Sequence, residues 1–315
     1  MLKKMISIAA VLTLLAFLFS GCGKALPQRK DKLNVVCTVF PLYDWTCETA
    51  LGNADVTLLL KNCTDMHSYQ PTAADMVKII SSDVIIYIGG ESDKWVEDAL
   101  KRSPDKNRTE IKLMDFLGGR AIAEENEKHR HEETEYDEHV WLSVKNAILF
   151  TNVIADSLAE KDTDNADSYR FSGAEYVKRL NSLDNEYAEL FNSVKKKSAV
   201  FADRFPFSYL FYDYGISCYA AFSGCSAETG AGFETVTFLA EKTDELKLKY
   251  IFTTESPIEG VAKTVIENTK NKNQEVLILD SMQSVTDKQI KNGITYISVA
   301  DKNLKQLKKA FGSDF

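Results

Sequence analysis

The stretch Tyr176-Val177-Lys178-Arg179-Leu180-Asn181-Ser182-Leu183-Asp184-Asn185-Glu186-Tyr187-Ala188-Glu189-Leu190-Phe191-Asn192-Ser193-Val194 decides the architecture. Its apolar positions Tyr176, Leu180, Leu183, Tyr187, Leu190 and Val194 step by four, three, four, three and four, the spacing of one face of an α-helix. The remaining positions are mostly Asn, Glu, Asp and Lys, so residues 164–197 read as a long helix with one buried stripe. A coiled-coil dimer helix would share this spacing. Its few turns and the lack of matching heptads elsewhere favour a rigid spine within one subunit, restricting any opening of a cleft.

Outward from the spine, short apolar runs alternate with helical patterns. Asn34-Val35-Val36-Cys37-Thr38-Val39, Val56-Thr57-Leu58-Leu59-Leu60 and Asp83-Val84-Ile85-Ile86-Tyr87-Ile88 read as strands buried on both faces. Between them Pro71 to Ile80 reads as a helix with Pro71 in its first turn. The rhythm resumes after residue 197 with strands at Ala199–Ala202, Cys218–Phe222, Tyr250–Thr253 and Val276–Leu279. The fold class is therefore α/β: two lobes, each a mostly parallel sheet with flanking helices, joined by the long helix.

The chain opens with Met1-Leu2-Lys3-Lys4, an apolar run from Met5 to Phe19, and Ser20-Gly21-Cys22. A basic start, a run short for a membrane span and a small-residue stop mark an export signal. Cys22 after Gly21 resembles the bacterial lipoprotein signal, with Phe19 where Leu is usual, and implies a lipid on Cys22 after cleavage. The layout that follows is a signal peptide 1–22, a polar tether 23–32, an N-terminal lobe 33–143, connecting helices 144–197 and a C-terminal lobe 198–315. This places the body outside the cytoplasm, anchored to a membrane by lipid. A formal charge of −8, from 46 acidic and 38 basic residues, argues against nucleic acid and suits cations. Cys37, Cys47, Cys63, Cys218 and Cys225 leave an odd thiol count and no CxxC metal knuckle.

All four histidines fall between positions 67 and 139. Two sit in the blocks His67-Ser68-Tyr69-Gln70-Pro71-Thr72-Ala73-Ala74-Asp75 and Glu138-His139-Val140-Trp141-Leu142-Ser143. Imidazoles far apart in sequence and close in a fold are the usual skeleton of a transition-metal site. With Val39-Phe40-Pro41, the spine, Tyr214-Gly215-Ile216 and Leu279-Asp280-Ser281, these blocks resemble the solute-binding lipoproteins of zinc and manganese ABC importers, the cluster A-I or ZnuA-like family. The resemblance covers most of the mature chain.

The resemblance implies a monomeric receptor that holds one divalent cation between its lobes and delivers it to the permease and ATPase of a metal importer. It implies His67 and His139 as neutral donors and Asp280 as the anionic one. At the position of the family's third histidine stands Arg204, which has no lone pair and cannot ligate. A unit charge about 4 Å from a divalent ion at an effective dielectric near 20 would cost roughly 8 kcal/mol, so Arg204 is expected to turn away or pair with a carboxylate. Glu228 is the favoured substitute ligand, with Asp203 and Cys225 behind it; an ordinary solvated or capping role for Glu228 is equally open.

Residues 124–138 form an acidic, histidine-containing run without apolar periodicity, expected as a mobile loop. By resemblance His129 and His131 capture metal weakly and pass it inward, although a solvated insertion fits the same run. Imidazole donors tilt the cargo toward Zn2+, with Mn2+ as the alternative. A metal-dependent surface hydrolase is the competing class, and an organic-solute receptor a further one. No HExxH signature, phosphate loop or nucleophile elbow supports an enzyme.

Overall fold

The computed structural model describes residues 32–62, 66–123, 135–224 and 230–312. Strands β1 (Leu33–Cys37), β2 (Ala54–Leu58), β3 (Val84–Tyr87) and β4 (Thr109–Lys112) pair in parallel in the order β2-β1-β3-β4. Helices α1 (Phe40–Ala50), α2 (Ala73–Ile80) and α3 (Lys94–Arg102) connect them. Val35, Val36 and Cys37 of β1 and all four residues of β3 are buried, as central parallel strands covered on both faces require. The edge strand β2 departs from that expectation: Asp55 is exposed and Val56 and Thr57 are half-buried, because only one flank of an edge strand is covered. Strand β4, Thr-Glu-Ile-Lys, carries one buried residue and gives no apolar run to read.

Pro71 is not in the first turn of α2. Thr72 is the N-cap, its hydroxyl accepting from Asp75 N at 3.2 Å while Asp75 Oδ2 accepts from Thr72 N at 3.1 Å. This reciprocal box satisfies two N-terminal backbone donors. Tyr69 donates to the same Asp75 oxygen at 2.6 Å and fixes the approach to the helix. Burial alone would raise the Asp75 pKa, but hydrogen bonds from Lys78, Thr72 and Tyr69 outweigh it and hold the carboxyl below the usual range.

Helices α4 (Val144–Lys161) and α5 (Ala166–Ser193) lie side by side between the sheets. α5 is the spine, about 42 Å long at 1.5 Å per residue. Tyr176, Leu180, Leu183, Tyr187 and Leu190 are buried as the spacing requires, whereas Val194 lies just past the helix in extended conformation. Where α4 crosses α5, a Cβ at Gly173 would fall 2.7 Å from Ala155 Cβ, so glycine permits the close approach.

The second lobe contains β5 (Ser198–Phe205), α6 (Ser208–Tyr214), β6 (Ser217–Ser223), α7 (Phe233–Leu246), β7 (Tyr250–Thr254), α8 (Val261–Asn268), β8 (Glu275–Leu279), α9 (Asp287–Lys291) and α10 (Tyr296–Phe311). Its sheet is parallel in the order β6-β5-β7-β8. Alternate residues of β5 serve different cores: Val200 and Ala202 pack with Val236, Leu239 and Val265 of α7 and α8, while Ala199 and Phe201 join the main core that includes the spine. Cys37, Cys47 and Cys218 carry free thiols; Cys63 and Cys225 lie outside the described residues. Among the described residues, no helix is long and apolar enough to cross a membrane; the expected signal at 1–22 and the lipidation site Cys22 lie outside them.

One buried carboxylate joins the first lobe, the spine and the second lobe. Asp44 Oδ2 of α1 accepts from the Tyr176 hydroxyl of α5 and from Tyr296 N at the start of α10, each at 3.0 Å. Burial pushes the Asp44 carboxyl up to about 6; the Tyr296 and Tyr176 hydrogen bonds oppose the rise, Glu48 adds to it and Arg179 reduces it. A carboxyl with a folded pKa above its unfolded value binds more protons when folded, so its contribution to stability falls as pH rises from about 4 to 6. Asp44→Asn keeps an acceptor without the charge. Its melting temperature should match the wild type near pH 4 and exceed it above pH 6, by an amount on the order of 2–3 kcal/mol of stability. Parallel thermal scans across pH check this, and a constant difference would refute it.

Candidate metal centre

His67 and His139 meet at the C-terminal edge of the first sheet, where loops leave parallel strands and ligands of open α/β sheets bind. Their ring centroids are 5.4 Å apart at an interplanar angle of 48°. His67 follows β2 on the segment leading to Thr72 and α2, and it is exposed. His139 is buried, its ring 5.2 Å from that of Trp141.

Both imidazoles have Nδ1 engaged. His139 Nδ1 lies 2.8 Å from Asp137 Oδ1, which also accepts from His139 N at 2.8 Å. Burial would raise the Asp137 pKa, but the charge and hydrogen bonds of His139 outweigh it and hold the carboxyl below its ordinary value. An ionised Asp137 takes the Nδ1 proton of His139 in a hydrogen bond and leaves the Nε2 lone pair as the donor. His67 Nδ1 lies 2.8 Å from Ser92 Oγ. Ser92 N in turn donates to Glu138 Oε1 and Oε2 at 3.1 and 3.3 Å. The two histidines are thus linked behind the site through Ser92 and the Glu138–His139 peptide.

Asp93 completes this layer, accepting from Ile88 N at 2.6 Å, Gly89 N at 3.4 Å and Thr38 Oγ1 at 3.4 Å. Burial pushes its carboxyl up to about 6, against the Ile88 N–H and with help from the nearby Glu138 charge.

The run 124–138 is not one solvated loop. Ala123 bridges Tyr136, and Asp137 and Glu138 are buried. Their charges are held by backbone and imidazole donors, which composition does not reveal. His129 and His131 lie outside the described residues, as does Glu228.

Asp280 occupies the turn after β8, at the corresponding edge of the second sheet. Its Oδ1 accepts from Met282 N at 2.9 Å. The neighbouring Ser281 donates from N and Oγ to the Glu255 carboxylate, each at 2.8 Å. Burial raises the Glu255 pKa and the Asp280 charge adds to the rise. Trp141 Nε1 donates to Ser281 O at 2.9 Å, joining the two turns across the lobes. The implied trio of His67, His139 and Asp280 is not gathered: among the described residues no three His, Cys, Asp or Glu side chains are grouped to hold a metal ion. Asp280 is drawn into its own turn, whereas the two histidines are brought together.

Asp203 is not available as a ligand. It is fully buried, with Oδ2 accepting from Thr254 N and Oγ1 at 2.9 and 2.5 Å and Oδ1 from Ile258 N at 3.1 Å, so it fastens the β7–α8 loop. The β5–β6 register shifts between Phe201 and Arg204, the irregularity that turns Asp203 inward. Arg204 is half-buried and opposite Phe222 in that register. The residue types here have the chemistry of an imidazole-rich cation site: two imidazoles each hydrogen-bonded at Nδ1, and carboxylates at the facing edge.

Gly90 lets Glu138 reach Ser92. A Cβ there would fall 2.1 Å from Glu138 Oε1 and 2.4 Å from Cγ, and Glu138 is too buried to move aside. Gly90→Ala should lower unfolding free energy by about 1–3 kcal/mol. Gly119→Ala, with nothing within 4 Å of its Cβ, should change it little. Urea titration of both variants measures the difference, and equal midpoints would exclude the cradle.

Over residues 35–310 the chain matches the family model ZnuA, described as zinc-uptake complex component A, periplasmic. The zinc-binding lipoprotein AdcA of Streptococcus pneumoniae (strain R6) is 33% identical over 307 residues, covering 96% of this chain and 60% of AdcA. The chain thus spans 60% of that relative's length. The high-affinity zinc uptake system protein ZnuA of Bacillus subtilis (strain 168) is 28% identical over 301 residues, 92% of this chain and 93% of that protein. The crystal structure of the Zn(II)-bound ZnuA-like domain of Streptococcus pneumoniae AdcA has a TM-score of 0.72 at 31% identity, covering 89% of this chain and 99% of the domain. The two parallel sheets and the intervening helix are shared with that structure. Since the match runs from the first strand into the last helix, the chain belongs to the ZnuA family of zinc-uptake component A proteins.

Proposed function

We propose that this chain is an extracytoplasmic receptor that binds one Zn2+ between its lobes and delivers it to the permease and ATPase of an ABC importer. The observation that carries this reading is the His67–His139 pair, with rings 5.4 Å apart and both Nδ1 atoms engaged. The Asp137 carboxylate can only accept, so His139 Nδ1 carries the ring proton and Nε2 is its donor atom; His67 offers its Nε2 when Nδ1 donates to Ser92 Oγ. Relatives named for zinc binding and zinc uptake support the same cargo. Imidazole suits zinc, whereas manganese favours harder oxygen donors.

Asp280 supplies the anionic donor. Met282 N engages Oδ1, and Oδ2 is the oxygen proposed as the donor. Glu228 is the proposed fourth donor in place of the histidine that Arg204 displaces; two imidazoles and two carboxylates neutralise a divalent ion. His129 and His131 are proposed to capture the ion before it reaches the tight site, and a lipid on Cys22 to keep the receptor at the membrane. The mechanism is coordination and release without turnover, and protonation of the imidazoles opposes binding as pH falls.

Elemental analysis of the purified chain should find one zinc per molecule, and competitive titration should rank Zn2+ above Mn2+. His67→Ala and His139→Ala should each weaken zinc binding by at least about 100-fold, and Glu228→Ala by about 10-fold, in line with loss of direct ligands. A double histidine variant that binds zinc as tightly as the wild type would remove the assigned site.

A further inference from the structure

We infer that His139, although part of the first lobe, is positioned by the second lobe through two clasps, and that Tyr209 is the positioning residue of the first. This rests on the zinc reading for its consequence but not for its geometry. The clasps lie two residues before and two residues after the imidazole.

The first clasp centres on one hydroxyl, beside which the Ser208 side chain also hydrogen-bonds the Asp137 carboxylate. Tyr209, on α6 of the second lobe, is 2% exposed. Its hydroxyl donates to Asp137 O at 2.9 Å and accepts from Ile122 N at 3.2 Å. Asp137 N donates to Ile122 O at 2.9 Å, so the hydroxyl closes the ladder between the chain entering residues 124–134 and the chain leaving them. It serves one half-buried backbone donor and one buried backbone acceptor. The carboxylate of the same Asp137 holds both His139 N and His139 Nδ1 at 2.8 Å. Between the Tyr209 hydroxyl and the imidazole there is one residue and no freely rotating link.

The second clasp is the Trp141 indole. Its N–H donates to Ser281 O beside Asp280, at 2.9 Å, while its ring lies against His139. Glu255 holds Ser281 in turn through N and Oγ. His67, by contrast, meets Ser92 of its own lobe. The neighbours of His139 on both sides are tied across the lobes, so Tyr209 and Ser281 set its place relative to Asp280.

Removing the Tyr209 hydroxyl should let Asp137 and the imidazole shift relative to Asp280. Loss of a group that orients a ligand typically costs 10- to 100-fold in metal affinity, and here the cost should fall on release. Tyr209→Phe in the full chain should release zinc to excess chelator about 10- to 100-fold faster in stopped flow, with association little changed. Tyr187→Phe is the control: it removes another buried hydroxyl bond, 2.7 Å to Ala300 O, from the spine. It should lower the melting temperature without changing release. Trp141→Phe, which removes the indole N–H together with the pyrrole half of the buried ring, should act in the same direction as Tyr209→Phe.

A readout without metal separates this inference from the zinc reading. In the metal-free wild type the His139 Nδ1 proton, bonded to a buried carboxylate, should give a slowly exchanging downfield proton resonance. Tyr209→Phe should broaden or abolish it, and Tyr187→Phe should leave it in place. A folded Tyr209→Phe variant with unchanged resonance and release overturns the inference whatever metal the wild type binds. If Tyr209→Phe does not fold, the same signals in Trp141→Phe decide. Failure of the wild type to retain zinc would refute the zinc reading alone.

Discussion

The Asp44 carboxylate, buried between a tyrosine hydroxyl of the spine and the first N–H of α10, is the constraint on which the relative placement of the lobes depends. A buried carboxylate is costly, but an apolar side chain in its place would leave the Tyr176 hydroxyl and the Tyr296 N–H without this acceptor. What it supplies is direction, because its oxygen can satisfy Tyr176 and Tyr296 only when α1, α5 and α10 meet at one point. The surrounding contacts agree: Trp45 packs edge-on to Tyr296 at 5.1 Å, and Tyr296 donates from its hydroxyl to Trp141 O at 2.8 Å. Tyr187, stacked on Tyr214 and bonded to Ala300 O, repeats the connection further along the spine. A cluster of apolar faces alone would allow sliding by a turn; polar atoms at fixed points do not.

The same division of labour recurs at the junction above α6. Arg120 pairs with Asp213 at 2.9 Å and donates from Nε to Asn146 at 2.7 Å, while the Ser143 hydroxyl donates to the other Asp213 oxygen. The N-terminus of α4 is therefore fixed to the second lobe immediately after the Glu138–Ser143 block. The candidate centre sits between this junction and the β8 turn. Its first imidazole is carried by a segment tied to the second lobe where Asn62 and Asp287 exchange hydrogen bonds, and its second by a segment tied to that lobe at Asp137 and Trp141.

Much of this was legible in the chain because the signals were periodic. Tyr176 through Leu190 announced the spine, and runs such as Val84 to Tyr87 announced strands covered on two sides. The histidine blocks pointed to two imidazoles that the fold brings together, because rare imidazoles in distinctive neighbourhoods leave few other uses. What escaped was set by partners distant in sequence. Asp137 and Glu138 look like the end of an acidic run, and only the fold brings Ser92 and Gly90 to them. Asp203 looks like a spare ligand beside Arg204, yet Thr254 and Ile258 claim both its oxygens. Pro71 suggested a helix start, but the Thr72–Asp75 box competes for that role and takes it. Strand β4 has too few buried side chains to leave a pattern.

The unequal exposure of the two imidazoles gives the site an inside and an outside. His67 stands at the mouth and His139 behind it against Trp141. For the ion binding proposed above, an arriving hydrated ion would trade its first water for the outer ring while the rest of its shell still faces solvent, and only then give up the waters that the inner ring and the tryptophan exclude. The dehydration cost is thereby divided into steps. For the zinc delivery proposed above, departure would run through the same door in reverse, with an acceptor meeting the ion on the His67 side.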